Sequence, residues 1–299
     1  MPTRQARHRR PLRPLFSVRV ACFLAAAALA APTLAAAQDD LTPLDVVMLR
    51  SVGGVYPSPT GDRIAFTRSI PRGPEDGPGG GYTNLFMLDV NGDELPLVTG
   101  KIGMGGIAWT PDGTALTFTQ RRDGDGGSQL YRLSMAGGEA QRVFDAPRGV
   151  SQYRWRPDGG AVAFTATLPA PEGRARARSA GFNQTVYDED WNAIGLFLWD
   201  AATNEVRRLD VDGSVFSMEW SPDGSRLALG VAPRNLIDDF YMFQRLHVLD
   251  VAGGDVRQVV DNPGKLGAYA WSPDGGRLGY ISAADPRDPH AGMLYTVDV

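Results

Sequence analysis

The chain has 299 residues, 30 basic and 34 acidic, with a formal net charge of −4 at pH 7 and one cysteine, Cys22. An acidic balance argues against nucleic acid as partner, and a lone cysteine excludes an internal disulfide framework. The length is enough to bury a sizeable core.

Residues 1–37 read as a secretory signal. Arg4, Arg7, Arg9, Arg10, Arg13 and Arg19 form a basic region without an acid, and an apolar stretch of 12 residues follows over 20–31. That stretch is too short to span a bilayer. Ala35-Ala36-Ala37 before Gln38 suits a cleavage site. Arg9-Arg10 hints at the twin-arginine route, but Pro11 and Leu12 fit that pattern poorly. Cys22 starts the apolar run and is not placed for lipid attachment. The expected destination is the periplasm or the exterior, with no membrane span in the mature chain. Without the six leader arginines the balance is 24 basic against 34 acidic residues, or −10.

A lead-in is expected over 38–55, and a repeat fills 56–299. Trp109-Thr110-Pro111-Asp112-Gly113 returns as Trp155-Arg156-Pro157-Asp158-Gly159, Trp220-Ser221-Pro222-Asp223-Gly224 and Trp271-Ser272-Pro273-Asp274-Gly275. A weaker first copy is Tyr56-Pro57-Ser58-Pro59-Thr60-Gly61-Asp62. The prolines at 59, 111, 157, 222 and 273 stand 52, 46, 65 and 51 residues apart. Pro presets φ, Asp bonds within its own turn and Gly accepts positive φ, so each copy reads as a hairpin turn. Alternating runs such as Ala115-Leu116-Thr117-Phe118-Thr119 and Ala161-Val162-Ala163-Phe164-Thr165 follow as strands.

A second hairpin completes each unit, as at Leu85-Phe86-Met87-Leu88 or Leu246-His247-Val248-Leu249. Four strands per unit of about 50 residues predicts an all-β fold, a β-propeller of four-stranded blades. Four blades are complete in the sequence. A fifth begins at Ala268 and reaches its third strand at Leu294-Tyr295-Thr296-Val297. A ring leaves little open edge only when it closes, so the sequence reads as the truncated N-terminal part of a longer protein. No helical periodicity competes over the repeat. Trp109, Trp155, Trp220 and Trp271 recur at one position and are expected to pack between blades.

The opening Leu41-Thr42-Pro43-Leu44-Asp45-Val46-Val47, followed by Leu49-Arg50-Ser51-Val52-Gly53, resembles the start of secreted members of the prolyl oligopeptidase family of serine peptidases. Two stretches that interrupt the repeat strengthen the likeness to the acylaminoacyl-peptidase and dipeptidyl-aminopeptidase branches. They are Gly181-Phe182-Asn183-Gln184-Thr185-Val186-Tyr187-Asp188-Glu189-Asp190-Trp191 and Asp238-Asp239-Phe240-Tyr241-Met242-Phe243. The resemblance implies a propeller that gates peptide access to an α/β-hydrolase domain with a Ser, Asp, His triad and a G-x-S-x-G elbow. The 299 residues contain no such elbow. Gly126-Gly127-Ser128 and Asp223-Gly224-Ser225 lie in hairpin turns, His8 in the leader, His247 mid-strand and His290 in a loop. No catalytic residue, cofactor or metal is nominated, and the hydrolase domain would be the missing partner.

The resemblance also implies that an acid pair binds the free amino terminus of a peptide substrate. The pair would be Asp188 with Glu189, or Glu189 with Asp190. Carboxylates suit an ammonium group through charge-assisted hydrogen bonds. The alternative is a solvated acidic loop anchored by Trp191. Arg174, Arg176 and Arg178 precede the acids, and the family likeness gives such an arginine a hold on a substrate carbonyl. Alternation could place all three on one face of a strand, or on a solvated edge that discourages pairing. Arg121-Arg122-Asp123-Gly124-Asp125-Gly126-Gly127 lacks the third acid and closing Glu of a calcium loop and reads as a flexible connection. A second function class remains: a non-catalytic periplasmic propeller of the TolB type that docks protein partners. It expects a small α/β domain before the ring, and about 18 residues separate leader from first motif.

Overall fold

The repeated turn closes by one hydrogen-bond scheme. Thr110, Ser221 and Ser272 each donate a hydroxyl to the Asp two positions on, at 2.6 Å. That Asp also accepts the backbone N–H of Thr114, Ser225 or Gly276. In the remaining copy Arg156 replaces the hydroxyl residue and donates Nε to Asp158 at 2.7 Å. The closing Gly113, Gly159, Gly224 and Gly275 have φ of +69°, +74°, +69° and +70°, a conformation that costs a side-chain-bearing residue energy. These hydrogen bonds hold the four carboxylates below the usual range, with Asp223 at about 2.

The computed structural model describes residues 41–287 and 292–299. Residues 1–40, with His8, Cys22 and the expected signal, and also His290, lie outside the described residues. The chain divides into two units, residues 1–47 and 48–299. In the first, helix α1 (Pro43–Val47) starts from a reciprocal cap. Thr42 donates its N–H and hydroxyl to Asp45 at 2.8 and 2.6 Å, and Asp45 N–H returns to the Thr42 hydroxyl.

In the second unit every sheet is an antiparallel meander in chain order. The first holds β1 (Ser51–Pro57), β2 (Ile64–Ile70), β3 (Tyr82–Leu88) and β4 (Glu94–Val98). The second holds β5 (Gly105–Trp109), β6 (Ala115–Gln120), β7 (Gln129–Ser134) and β8 (Gln141–Arg142). The third holds β9 (Gln152–Trp155), β10 (Ala161–Thr167), β11 (Ile194–Asp200) and β12 (Glu205–Leu209). The fourth holds β13 (Ser214–Trp220), β14 (Arg226–Ala232), β15 (Arg245–Asp250) and β16 (Val256–Gln258). Three strands, β17 (Leu266–Trp271), β18 (Arg277–Ala283) and β19 (Gly292–Asp298), form the fifth. The fold is all-β, of four-stranded sheets in the manner of a β-propeller. Strand β1 begins at Ser51, inside the expected lead-in, because Val52 and Ser51 pair with Arg68 and Ser69 of β2.

The apolar core lies between sheets rather than on one face of each. Leu116, Phe118 and Trp109 pack with Leu85 of the first sheet. Phe164 and Trp199 pack with Leu130 and Phe144 from the second. Trp220 and Leu229 join Leu196, and Leu278 joins Leu246 and Val248. Strand β6 is therefore buried at all six positions, its threonines included. Each motif tryptophan also ties its sheet to the preceding one. Trp109, Trp220 and Trp271 donate Nε1–H to the carbonyls of Tyr56, Arg154 and Glu219 at 2.8, 3.1 and 3.1 Å. Each carbonyl belongs to the residue just before the tryptophan position of the earlier copy. Tyr56 fits this rule only if Pro57 occupies the tryptophan position of the first, degenerate copy. Trp155 reaches the equivalent carbonyl of Ala108 through the buried Thr117 hydroxyl, which accepts from Trp155 at 3.1 Å and donates to Ala108 at 3.1 Å.

Two helices correct the expectation of a helix-free repeat. Helix α2 (Glu172–Ser179) lies in the connection between β10 and β11, and α3 (Ile237–Met242) in that between β14 and β15. Both are short, and neither has a hydrogen-bonded side-chain N-cap, so tertiary contacts must supply their stability. Among the described residues no helix is long and apolar enough to cross a membrane.

Candidate functional site

Antiparallel order sends the first and third turns of every sheet to one end, and the β2–β3 type of connection to the other. The repeated turns line up at the first end. A Cβ on Gly113 would sit 3.6 Å from Pro59, one on Gly275 3.7 Å from Pro222, and Arg226 donates to the Gly275 carbonyl at 2.8 Å. Both irregular stretches of the sequence fall at the opposite end. There the connection over residues 168–193 leaves the third sheet and that over 233–244 leaves the fourth.

The first connection is closed at its base, where Leu168 N–H donates to the Ala193 carbonyl at 2.8 Å. Helix α2 follows, and it overturns the strand expected for Arg174, Arg176 and Arg178. Residues two apart on a helix point about 200° apart, so alternation no longer gathers the three arginines. Arg174 turns inward, its side chain 15% exposed. It donates Nη1 to Asp190 at 3.3 Å, Nη2 to the Trp191 carbonyl at 2.8 Å, and Nη2 to Asn192 Oδ1. Arg176 turns outward and pairs with Glu172 at 3.4 Å. Arg178 is exposed, and its charge still reaches Asp190.

The acids lie in a tight turn. Glu189 and Asp190 N–H both donate to the Val186 carbonyl, at 3.2 and 3.0 Å. Asp188 has φ +63°, uncommon outside glycine and tolerated best by Asp and Asn. The three acids divide by environment. Both oxygens of Asp190 are committed, Oδ2 to Val186 N–H at 2.8 Å and Oδ1 to Arg174. The Val186 N–H, and after it Arg174, hold this carboxyl below its ordinary range against the opposing effect of burial. Asp188 and Glu189 are exposed and make no side-chain hydrogen bond among the described residues.

The second connection meets the first. Asn235 Nδ2 donates to the Asn192 carbonyl at 2.9 Å. Its neighbour Arg234 grips Asp239, almost fully buried in α3, through Nε and Nη2 at 3.1 and 2.9 Å. Asp239 holds Arg234 more firmly in its charged form, and the fields of Asp188 and Asp238 add to it. The stretches that interrupt the repeat are thus side by side. Aromatic surface surrounds them, with Phe182, Tyr187, Tyr241 and Phe243 all exposed. A cleft of about 700 Å³ between the third and fourth sheets is lined by Leu168, Trp191, Ala193, Asp212 and Pro233, among others.

The remaining singled-out residues are structural. Asp125, in the loop after β6, accepts from Tyr131 at 2.9 Å, Arg122 N–H at 2.8 Å and Arg142, so it anchors the loop. His247 donates Nδ1–H to the Arg245 carbonyl at 3.0 Å, and burial lowers its pKa. Sequence reading missed the Arg174–Asn192–Asn235 connection, since its members lie 18 and 43 residues apart. It also missed Asn84 and Gln129, which clamp the chain leaving each sheet by paired bonds to Gly100 and Ala146. Polar amides inside apolar strands were the available signal.

No protein-family model matches the chain. It is 28% identical over 237 residues to the uncharacterized peptidase YuxL of Bacillus subtilis, covering 79% of this chain and 30% of that protein. It is 25% identical over 161 residues to dipeptidyl-peptidase 5 of Porphyromonas endodontalis, covering 50% of this chain and 23% of that protein. Thus the chain spans less than a third of the length of the curated relatives it matches. Among solved structures, acylaminoacyl peptidase of Pyrococcus horikoshii superposes with a TM-score of 0.60 at 12% identity, over 84% of this chain and 38% of that one. A TolB-type protein of Agrobacterium tumefaciens superposes at 0.54 and 16%, over 84% and 78%. The chain is a peptidase-related β-propeller. Structural likeness at these identities speaks for the fold, which peptidases and TolB share.

Proposed function

We propose that this chain is the substrate-gating propeller of an exported serine peptidase, and that Asp188 and Glu189 bind the free amino terminus of a peptide substrate. The observation that carries the reading is the division of the acid turn. Asp190 is consumed by the fold, while its two neighbours are exposed and their carboxylates have no hydrogen-bond partner among the described residues. An ammonium group offers three donors, and two adjacent carboxylates supply matched acceptors. Arg178, on the same insertion, is the cation proposed for a substrate carbonyl. Arg176, paired with Glu172, stands further from the acids' side of the helix. Sequence relatives that are peptidases support the reading.

Calorimetry on the chain, with tetra-alanine and its N-acetyl form, tests the site. The free amine should bind and the acetylated peptide should not, and Glu189→Gln should weaken the amine complex about tenfold, one charge-assisted bond's worth. Equal affinity for both peptides would remove Asp188 and Glu189 from the site. A TolB-like docking role is the second reading, favoured by the greater share of the TolB-type chain that is covered. Fluorophosphonate labelling of the full-length gene product separates the two. A labelled serine supports the peptidase, and an unlabelled product supports the docking module.

A further inference from the structure

We infer that Arg174 is a positioning residue that sets the geometry of the Asp188–Glu189 turn and couples it to the fourth-sheet insertion. The inference rests on the reading of those two acids as the amine-binding pair. Arg174 stands on the first turn of α2, and its three acceptors lie on Asp190, Trp191 and Asn192, immediately beyond the two acids. Its side chain is 15% exposed and that of Asp190 12%. The guanidinium is held entirely through its Nη atoms, since Nε is buried without a partner. Asp190 passes the restraint back across the turn by accepting Val186 N–H at 2.8 Å. The segment carrying Asp188 and Glu189 is therefore pinned on both sides, at 186 and at 190–192.

The same guanidinium reaches the neighbouring sheet through Asn192. That residue's side-chain oxygen accepts from Arg174 and its backbone carbonyl accepts from Asn235 at 2.9 Å. Beside Asn235, Arg234 is locked on Asp239 and lies within the field of Asp188. A restraint thus runs from α2 through Arg174, Asn192 and Asn235 to α3. A flexible connection of 26 residues, 168–193, would otherwise leave two adjacent carboxylates to sample many geometries. Lysine cannot substitute, because one ammonium does not reproduce a planar fork that reaches three acceptors.

Two readouts test this on the whole chain. Tetra-alanine affinity by calorimetry should fall about tenfold in Arg174→Gln and in Arg174→Lys, as misplacement of a binding group predicts. Trypsin cleavage after Arg178 should accelerate in both variants, with unchanged β-sheet circular dichroism showing that the sheets remain folded. If Glu189→Gln weakens binding and Arg174→Gln does not, the positioning role is overturned. If Glu189→Gln binds as the parent does, the amine-binding reading fails, and cleavage alone then judges the tether. Unchanged cleavage would overturn it, and faster cleavage would sustain it.

Discussion

The two ends of the sheets are built by opposite means. At one end the same five-residue turn is used repeatedly, closed by its own Asp and Gly and pinned to its neighbour through Trp. At the other, each connection has its own length and its own solution: an arginine fork over residues 168–193, an Arg234–Asp239 lock over 233–244, and an aspartate anchor in the loop after β6. Redundancy at the first end specifies architecture, and a single altered copy leaves the rule standing, as Pro57 and Arg156 show. At the second end the amide clamps of Asn84 and Gln129 recur, but the connections themselves share no sequence pattern. The exposed acids Asp188 and Glu189 stand out because the third acid of their turn, Asp190, is taken by Arg174, and the nearby Arg234 is taken by Asp239.

The contrast can be broken most sharply in the core that both ends share. Phe164 is 2% exposed, packs against the tilted ring of Phe144 at 4.9 Å and stacks on Phe197 at 5.3 Å. Phe164→Ala should lower unfolding free energy by about 3–5 kcal/mol in urea titrations, disturbing both ends together. Trp220→Phe keeps a ring but removes the Nε1–H bond to Arg154, and should cost about 1 kcal/mol in the same measurement. Acid should act on the repeated end. Hydrogen bonds from Ser221 and Ser225 lower the folded Asp223 pKa from 3.8 to about 2. A lowered folded pKa means stabilisation that is complete above the unfolded value and lost as pH falls through the folded one. The urea midpoint should therefore decline between about pH 4 and pH 2, and less steeply in Asp223→Asn. The smallest effect on stability is expected from Glu189→Gln, within about 0.5 kcal/mol, although it is the change that should weaken binding of a free amine about tenfold.

Much of the fold was legible because its signals are local. Five turn motifs, their spacing and the runs between them marked most strands, and the third strand of the last sheet lies where Leu294-Tyr295-Thr296-Val297 implied. The site was legible only in outline. Its acids could be singled out as an interruption of the repeat, but the arginines were expected on a strand and form a helix. Arg174-Ala175-Arg176-Ala177-Arg178 alternates in type, yet the strands that flank it, β10 and β11, are already paired on both sides, and its hydrogen bonds close within the segment. Strand β6 carried a similar ambiguity. Its Thr117 and Thr119 suggest a wet face, but a second sheet covers them, and their hydroxyls donate to the Ala108 and Gly105 carbonyls.

By itself the sequence determined the repeating turn, and through it the number and direction of most strands, because Pro, Asp and Gly act within five residues. It also marked where the repeat is interrupted. Only the tertiary structure decided which of the three acids remains available, since that depends on Arg174 sixteen residues away and on a second insertion brought alongside by the packing of two sheets. Long-range polar contacts leave no period in the sequence, and the proposed site consists of them.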